Sequence, residues 1–157
     1  LQREQARVQA SLRRAQSANR RAFSGAPGAG RIRRGSGSMI WPVNGPLTGV
    51  FGEARPGHMH AGVDVSAPQG TPIRAADSGR VVLLGFTGGY GNYTCVQHNA
   101  STSTCYAHQS RYGTSNGASV AKGQVIGYVG NTGNSFGAHL HFEVRVNGTP
   151  VNPMGYL

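Results

Sequence analysis

His139-Leu140-His141-Phe142-Glu143-Val144-Arg145-Val146 is the stretch that decides how this chain is read. Side chains on an extended strand alternate between two faces, so His139, His141 and Glu143 project one way and Leu140, Phe142 and Val144 the other. One face suits a core and the other suits chemistry. Further short runs rich in β-branched and aromatic residues lie at Gly79 to Phe86, Asn92 to His98, Ser103 to His108 and Gln124 to Val129. Gly, Pro and Asn punctuate the chain between them, and the Asn99-Ala100-Ser101 turn joins two runs as a hairpin. The expected fold is mostly β, a compact antiparallel sheet or sandwich.

The length of 157 residues allows one domain of ordinary size. The 25 Gly and only 13% charged residues suit a loop-rich β fold, and the absence of a Gly-X-Y period excludes collagen. No run approaches the ~18 apolar residues of a membrane-spanning helix, and no charged-then-apolar leader is present. The chain starts at Leu1 without a Met, as expected of a processed or trimmed piece.

The net charge of +10 is uneven: residues 1–38 carry nine Arg against one acid, Glu4, and residues 39–157 carry six basic groups against four acids. Residues 1–23 lack Gly and Pro, are rich in Ala, Gln and Arg, and place Leu1, Val8, Ala15 and Ala22 at a seven-residue interval. They read as the end of a longer, coiled-coil-like helix whose thin seam calls for an upstream helix partner. Residues 24–38, built of Gly, Ala, Ser and Arg, read as a flexible basic linker, and residues 39–157 as the domain. Such a tail is drawn to any polyanion, whether nucleic acid, anionic lipid or an anionic, phosphate-bearing wall polymer. Specific nucleic-acid recognition is not expected, because only Phe23 stands among the Arg residues for base stacking.

Cys95 and Cys105 lie symmetrically about Ala100, which sets them opposite each other across the hairpin. A disulfide is the expected product and fits an oxidising, extracytoplasmic compartment. The alternatives are reduced thiols or a metal site from Cys95…His98 and Cys105…His108. Against the metal site, residues three apart on a strand face opposite ways.

Six His meet only five acids, and they fall into three informative groups: His60-Ala-Gly-Val-Asp64, Tyr106-Ala-His108, and Gly137-Ala-His139-Leu-His141-Phe-Glu143. His139 and His141 share a strand face roughly 6.6 Å apart, close enough for one to bind a metal and the other to address a substrate. His60 and Asp64 are about 13 Å apart in a straight strand, so joint ligation needs a curl, which Gly62 permits. Two His and one carboxylate are a catalytic zinc set, with a position left for water.

These groups resemble the signature of lysostaphin-type (LytM-like) zinc metallopeptidases. The likeness extends through Phe51-Gly52, Ala67-Pro68-x-Gly70-Thr71-Pro72, Gly89-Tyr90-Gly91-Asn92-Tyr93 and Lys122-Gly123-Gln124-x-Ile126-Gly127, over about residues 40–157. The resemblance implies an antiparallel β domain that hydrolyses peptide bonds in peptidoglycan stem or cross-bridge peptides. It implies one Zn2+ per chain held by His60, Asp64 and His141, with His108 and His139 as catalytic histidines, in a secreted or envelope-associated protein. Glu143 is read either as an anchor for a ligand histidine or as an ordinary exposed acid. The segment Gly52 to His60 lacks the tyrosine that some relatives place beside the metal. His58 serves as a ligand only in a slipped register, since Gly62 and Asp64 keep their spacing from His60, and His98 is expected at the surface.

Two other functions fit parts of the chain. One is a non-catalytic peptidoglycan-binding or amidase-activating module of the same fold. The other is a lipoyl-type carrier, disfavoured because Lys122, the only Lys, precedes a strand instead of crowning a hairpin. Selectivity is expected in the loops Gly85–Gly91, Tyr112–Gly117 and Gly130–Gly137. No candidate site residue precedes His60, so residues 1–38 are expected to be dispensable for the chemistry.

Overall fold

The computed structural model describes residues 5–14, 38–55, 58–133 and 135–157. Its strands, in chain order, are β1 (Leu47–Gly49), β2 (Ala54–Arg55), β3 (His58–Met59), β4 (Val63–Ser66), β5 (Pro72–Arg74) and β6 (Gly79–Phe86). They continue as β7 (Asn92–Gln97), β8 (Thr102–Tyr112), β9 (Ser119–Val120), β10 (Val125–Val129), β11 (His139–Val146) and β12 (Thr149–Val151). Ten of them form one antiparallel sheet in the order β1-β4-β11-β8-β7-β6-β9, with β12 on β11 and β10 linking β8 to β5. β2 and β3 make a separate two-stranded ribbon. The fold is mostly β, as its alternating runs require.

The core fills one face of this sheet. Val63 and Val65 of β4, Tyr106 of β8 and Leu140, Phe142 and Val144 of β11 pack with Ile73 and Ile126. Burying each large aliphatic or aromatic side chain contributes roughly 1.5–3 kcal/mol. The other face is also covered. Tyr90, Tyr93, Ala107 and the Cys95–Cys105 disulfide form a second cluster, closed over by Val8 and Leu12 from a helix that includes residues 5–14. Every residue from Leu140 to Arg145 is therefore buried, polar ones included.

The described part of the N-terminal tail packs on the sheet. Val8 and Leu12, one turn apart, spend their apolar surface on the sheet, while Gln9 Nε2 donates to Thr149 Oγ1 and Arg13 Nε to the Asn147 carbonyl. Residues 5–14 are thus part of the packed unit. Leu1, Ala15 and Ala22 of the proposed seam, and the linker up to residue 37, lie outside the described residues. Leu12→Ala should lower stability by about 2–5 kcal/mol in urea denaturation, the cost of an unfilled core position. A loss below about 0.5 kcal/mol would mean that the helix does not hold the second cluster.

The β7–β8 hairpin sets Cys95 opposite Cys105, with the two Cα atoms 4.1 Å apart. Asn99 Oδ1 accepts from the amides of Ser101 and Thr102, each at 2.8 Å, which fixes the turn. His98 is not at the surface. It is 1% exposed, with Nδ1 2.8 Å from the Ser78 carbonyl and Nε2 2.7 Å from Thr104 Oγ1. Both ring nitrogens are satisfied by groups distant in sequence, which offsets the desolvation that sequence position alone does not reveal.

Burial pushes the His98 imidazole below the usual histidine value, outweighing the opposing pull of the Ser78 carbonyl and Asp77. The unfolded chain then binds a proton that the folded chain refuses. Stability from this source is full above about pH 6.5 and falls as the pH drops, by at most about 1.4 kcal/mol per unit. The stability difference between the wild type and His98→Gln should shrink on acidification from pH 7.5 to 5.5. A constant difference would assign the acid sensitivity elsewhere.

Candidate metal centre and catalytic cleft

The pairing of β4 with β11 sets Asp64 directly across from His141. Both stand on the face opposite the Leu140–Phe142 core, and Asp64 Oδ1 lies 3.0 Å from His141 Nδ1. His60 reaches them from the end of the β2–β3 ribbon, where its amide donates to the Glu53 carbonyl and its own carbonyl accepts from Gly52. Its Nε2 lies 3.2 Å from both Asp64 Oδ2 and His141 Nδ1. Gly62, between the two ligand candidates, is required by close approach: a Cβ there would overlap the Phe142 carbonyl oxygen. β4 can lie against β11 at this point only without a side chain.

The hydrogen bonds fix which nitrogen each ring presents. His60 Nδ1 donates to the Val50 carbonyl at 2.8 Å, leaving Nε2 for the centre. His141 is turned the other way, with Nε2 donating to Glu143 Oε2 at 2.9 Å and Nδ1 facing inward. His60 Nε2 and His141 Nδ1, 3.2 Å apart, thus face the Asp64 carboxylate, which turns Oδ2 to His60 at 3.2 Å and Oδ1 to His141 at 3.0 Å. A tetrahedral zinc bound at its usual distances makes ligand–ligand edges of about 3.3 Å. The residues fit the metal.

Glu143 belongs to the support of this centre, fully buried with Oε1 accepting from Tyr93 Oη at 2.6 Å and Arg145 Nε at 2.8 Å. Arg145, also fully buried, donates through Nη1 to the Gly148 carbonyl and through Nη2 to Tyr90 Oη. Burial alone would raise the Glu143 carboxyl, but Arg145 and His141 hold it well below the carboxylate range. Asp64 is likewise held low, His141 and His60 overcoming its burial. Burial opposes a charge on His141, yet Asp64 and Glu143 prevail and push it up to about 9. A metal at this centre must therefore displace a proton from Nδ1.

His108 reaches the same face by breaking its strand. In regular alternation it would follow Tyr106 toward the core. Instead, its φ is +60° and the β7–β8 register shifts there. This bulge turns the ring to within 4.8 Å of His139 and 6.0 Å of His141, centroid to centroid. His108 Nδ1 donates to the Thr132 carbonyl at 2.7 Å, and burial with the nearby His141 and His139 pushes it down to about 4. His139 Nδ1 donates to the Gly137 carbonyl at 2.8 Å, and its Nε2 stands 3.7 Å from Asp64 Oδ1. Each ring has Nδ1 tied to a carbonyl and turns Nε2 to the centre's side.

A cleft of about 960 Å³ opens over these groups, walled by Tyr90, Phe136, Arg55 and the segment Ser135–Ala138. The Gly85–Gly91 and Gly130–Gly137 loops reach it, whereas Tyr112–Gly117 contributes no described residue. The sequence motifs include Tyr93 without a role, and give none to Arg55 or Arg145. Arg145 continues the 139-141-143 parity and was legible there, but nothing local marks Arg55. Among the described residues, His60 is the histidine that meets Asp64 and His141.

With this geometry in place, residues 58–153 match the model of Peptidase family M23. The chain belongs to peptidase family M23. It is 49% identical over 96 residues, 61% of this chain and 22% of the relative, to the DD-carboxypeptidase/endopeptidase Mpg of Neisseria meningitidis serogroup B. It is 34% identical over 122 residues, 77% of this chain and 29% of the relative, to the murein hydrolase activator EnvC of Escherichia coli. The chain spans less than a third of the length of either relative. Among solved structures, the catalytic domain of the antimicrobial peptidase lysostaphin from Staphylococcus simulans matches with a TM-score of 0.61 at 38% identity, covering 70% of this chain and 87% of that one. This M23 chain is thus lysostaphin-type, from a family of zinc-dependent peptidases.

Replacing Glu143 by Ala leaves the Arg145 guanidinium buried without its partner, which should cost this M23 domain about 3–5 kcal/mol. Tyr93→Phe removes one neutral donor and should cost about 1–3 kcal/mol. Equal losses from the two in denaturant titrations would contradict the ion pair as the main element of the network.

Proposed function

We propose that the chain is a zinc-dependent endopeptidase that hydrolyses peptide bonds in peptidoglycan stem or cross-bridge peptides. The supporting observation is the triangle of His60 Nε2, Asp64 and His141 Nδ1, set beside two histidines whose Nδ1 atoms are tied to carbonyls. In this reading His60, Asp64 and His141 hold one zinc ion per chain. When bound, zinc polarises the scissile carbonyl and lowers the pKa of a water.

The remaining work falls to the chain itself. His108, kept neutral at physiological pH by burial and by its histidine neighbours, suits a base that accepts the proton of the attacking water. His139 lines the same cleft and suits delivery of a proton to the leaving amine. The Thr132 and Gly137 carbonyls orient both rings with Nε2 available. The cleft shields these transfers, while the exposed Phe136 at its rim offers apolar surface to a peptide.

A second reading, a non-catalytic amidase-activating module, draws support from the similarity to EnvC. The complete His60–Asp64–His141 set and both additional histidines favour the enzyme, since a buried polar constellation without a ligand is costly to keep. The disulfide and the kinship with murein-acting proteins support an extracytoplasmic, envelope-associated setting. The nine Arg of residues 1–38 support attraction to an anionic wall polymer.

His141→Ala should abolish stoichiometric zinc retention and cleavage of soluble muropeptides. His139→Ala should keep zinc and lose about 10²–10⁴ in turnover, the usual worth of a positioned acid or base. Metal analysis and mass spectrometry of the digests check both. Equal zinc loss in the two variants would refute this division of roles.

A further inference from the structure

Resting on that metallopeptidase reading, we propose that Arg55 is a further catalytic residue, the cationic donor that receives the oxyanion formed on the scissile carbonyl. Arg55 and Asp64 are the only Asp, Glu, Lys or Arg side chains among the described residues that wall the cleft. Asp64 belongs to the metal-ligating triangle. Arg55 therefore supplies the permanent cation on the wall.

Its placement is built into the fold. The β2–β3 ribbon that ends in His60 also carries Arg55, so one element delivers both groups to the centre. Glu53 Oε1 holds the guanidinium from behind, 3.1 Å from Nε and 2.7 Å from Nη2. The same Nη2 reaches to 3.4 Å from Asp64 Oδ2. Gly49 marks the convergence: a Cβ there would stand 2.5 Å from Asp64 Oδ2, 2.8 Å from Arg55 Nη2 and 3.1 Å from His60 Cε1. Two groups from the ribbon and one from β4 meet above a residue that leaves them room.

Stability gives a poor reason for this arrangement. The Arg55 side chain is 33% exposed and that of Glu53 45%, and exposed ion pairs of this kind contribute little. Charge that appears only during the reaction gives a better one. As the water oxygen bonds to the carbonyl carbon, the water proton passes to an imidazole and the π pair moves onto the carbonyl oxygen. Collapse re-forms the C=O bond, breaks the C–N bond and returns a proton to the departing amine. A fixed guanidinium beside the centre stabilises the transient negative oxygen more than the neutral carbonyl, which is the condition for lowering the barrier. The other groups are committed. His108 and His139 handle protons, and Tyr90 Oη is turned away to Arg145.

The test uses the full zinc-loaded chain with Arg55→Ala and Arg55→Lys. It measures kcat and KM on soluble muropeptides, zinc affinity by chelator competition, and affinity for a phosphinate peptide, a stable tetrahedral anion. Arg55→Ala should lower kcat about 10²–10³-fold, with KM and zinc affinity within about threefold of wild type. Arg55→Lys should recover part of the loss, and phosphinate affinity should fall in parallel with kcat/KM. A kcat in Arg55→Ala within about threefold of a wild type that cleaves would overturn the proposal and leave the peptidase reading standing. Zinc affinity falling in step with kcat would overturn it as well, making Arg55 a positioning residue for Asp64. A wild type that cleaves nothing would sink the peptidase reading and the catalytic role of Arg55 with it, whatever the phosphinate affinity. Phosphinate affinity indifferent to Arg55 would end the proposal in every case.

Discussion

The pairing of Asp64 with His141 across β4 and β11 is the constraint on which the rest depends. Neighbouring antiparallel strands place these two side chains on one face, opposite a core of Val63, Val65, Leu140 and Phe142. A slip of one residue in either strand would exchange core and site, so hydrophobic burial on one side fixes the register of chemistry on the other. Gly62 sharpens the constraint, because only a residue without a Cβ lets β4 approach the Phe142 carbonyl. His60, Arg55 and the β2–β3 ribbon are assembled around this pair, and His108 is turned toward it by its bulge.

The polar face of β11 is as thoroughly buried as its apolar face, and that shapes the energetics. A buried Glu143–Arg145 pair is costly to desolvate, and apolar side chains of similar size would often serve stability better. Its retention makes sense through His141, whose Nε2 it engages so that Nδ1 is turned to the centre. Tyr93 and Tyr90 complete the network, stacked with ring centroids 4.5 Å apart beneath Val8 and Leu12. The N-terminal helix and the disulfide thereby back the site from behind. Structure close to the chain's first residues and chemistry from its last third share one packed layer.

Much of this was legible in the sequence where the signal is local. The alternation of β11, the hairpin centred on Ala100 and the facing cysteines each follow from the period of a strand and the chemistry of a turn. Strand alternation grouped His139, His141 and Glu143 correctly, and Arg145 was the next residue in the same series. What escaped is non-local or breaks the local rule. Parity groups His108 with Tyr106, and only a left-handed residue in the strand separates them. His98 looks like a hairpin-end residue until Ser78 and Thr104 are brought to its two nitrogens. Val8 reads as one position of a weak helix seam and Leu12 falls outside that seven-residue interval, because their partner is a sheet face almost a hundred residues away, and Arg55 matters only because Gly49 leaves room where it meets Asp64 and His60.

The proposed chemistry turns on a metal held by His60 Nε2, His141 Nδ1 and an Asp64 oxygen, the two rings being of opposite tautomer. Crystals of zinc-loaded protein with anomalous data collected at the zinc edge test this most directly. One strong peak per chain is expected, about 2.0–2.2 Å from His60 Nε2, His141 Nδ1 and an Asp64 carboxylate oxygen. A peak ligated by His139 or His108 in place of one of these three, or none at the triangle in zinc-saturated crystals, would contradict it.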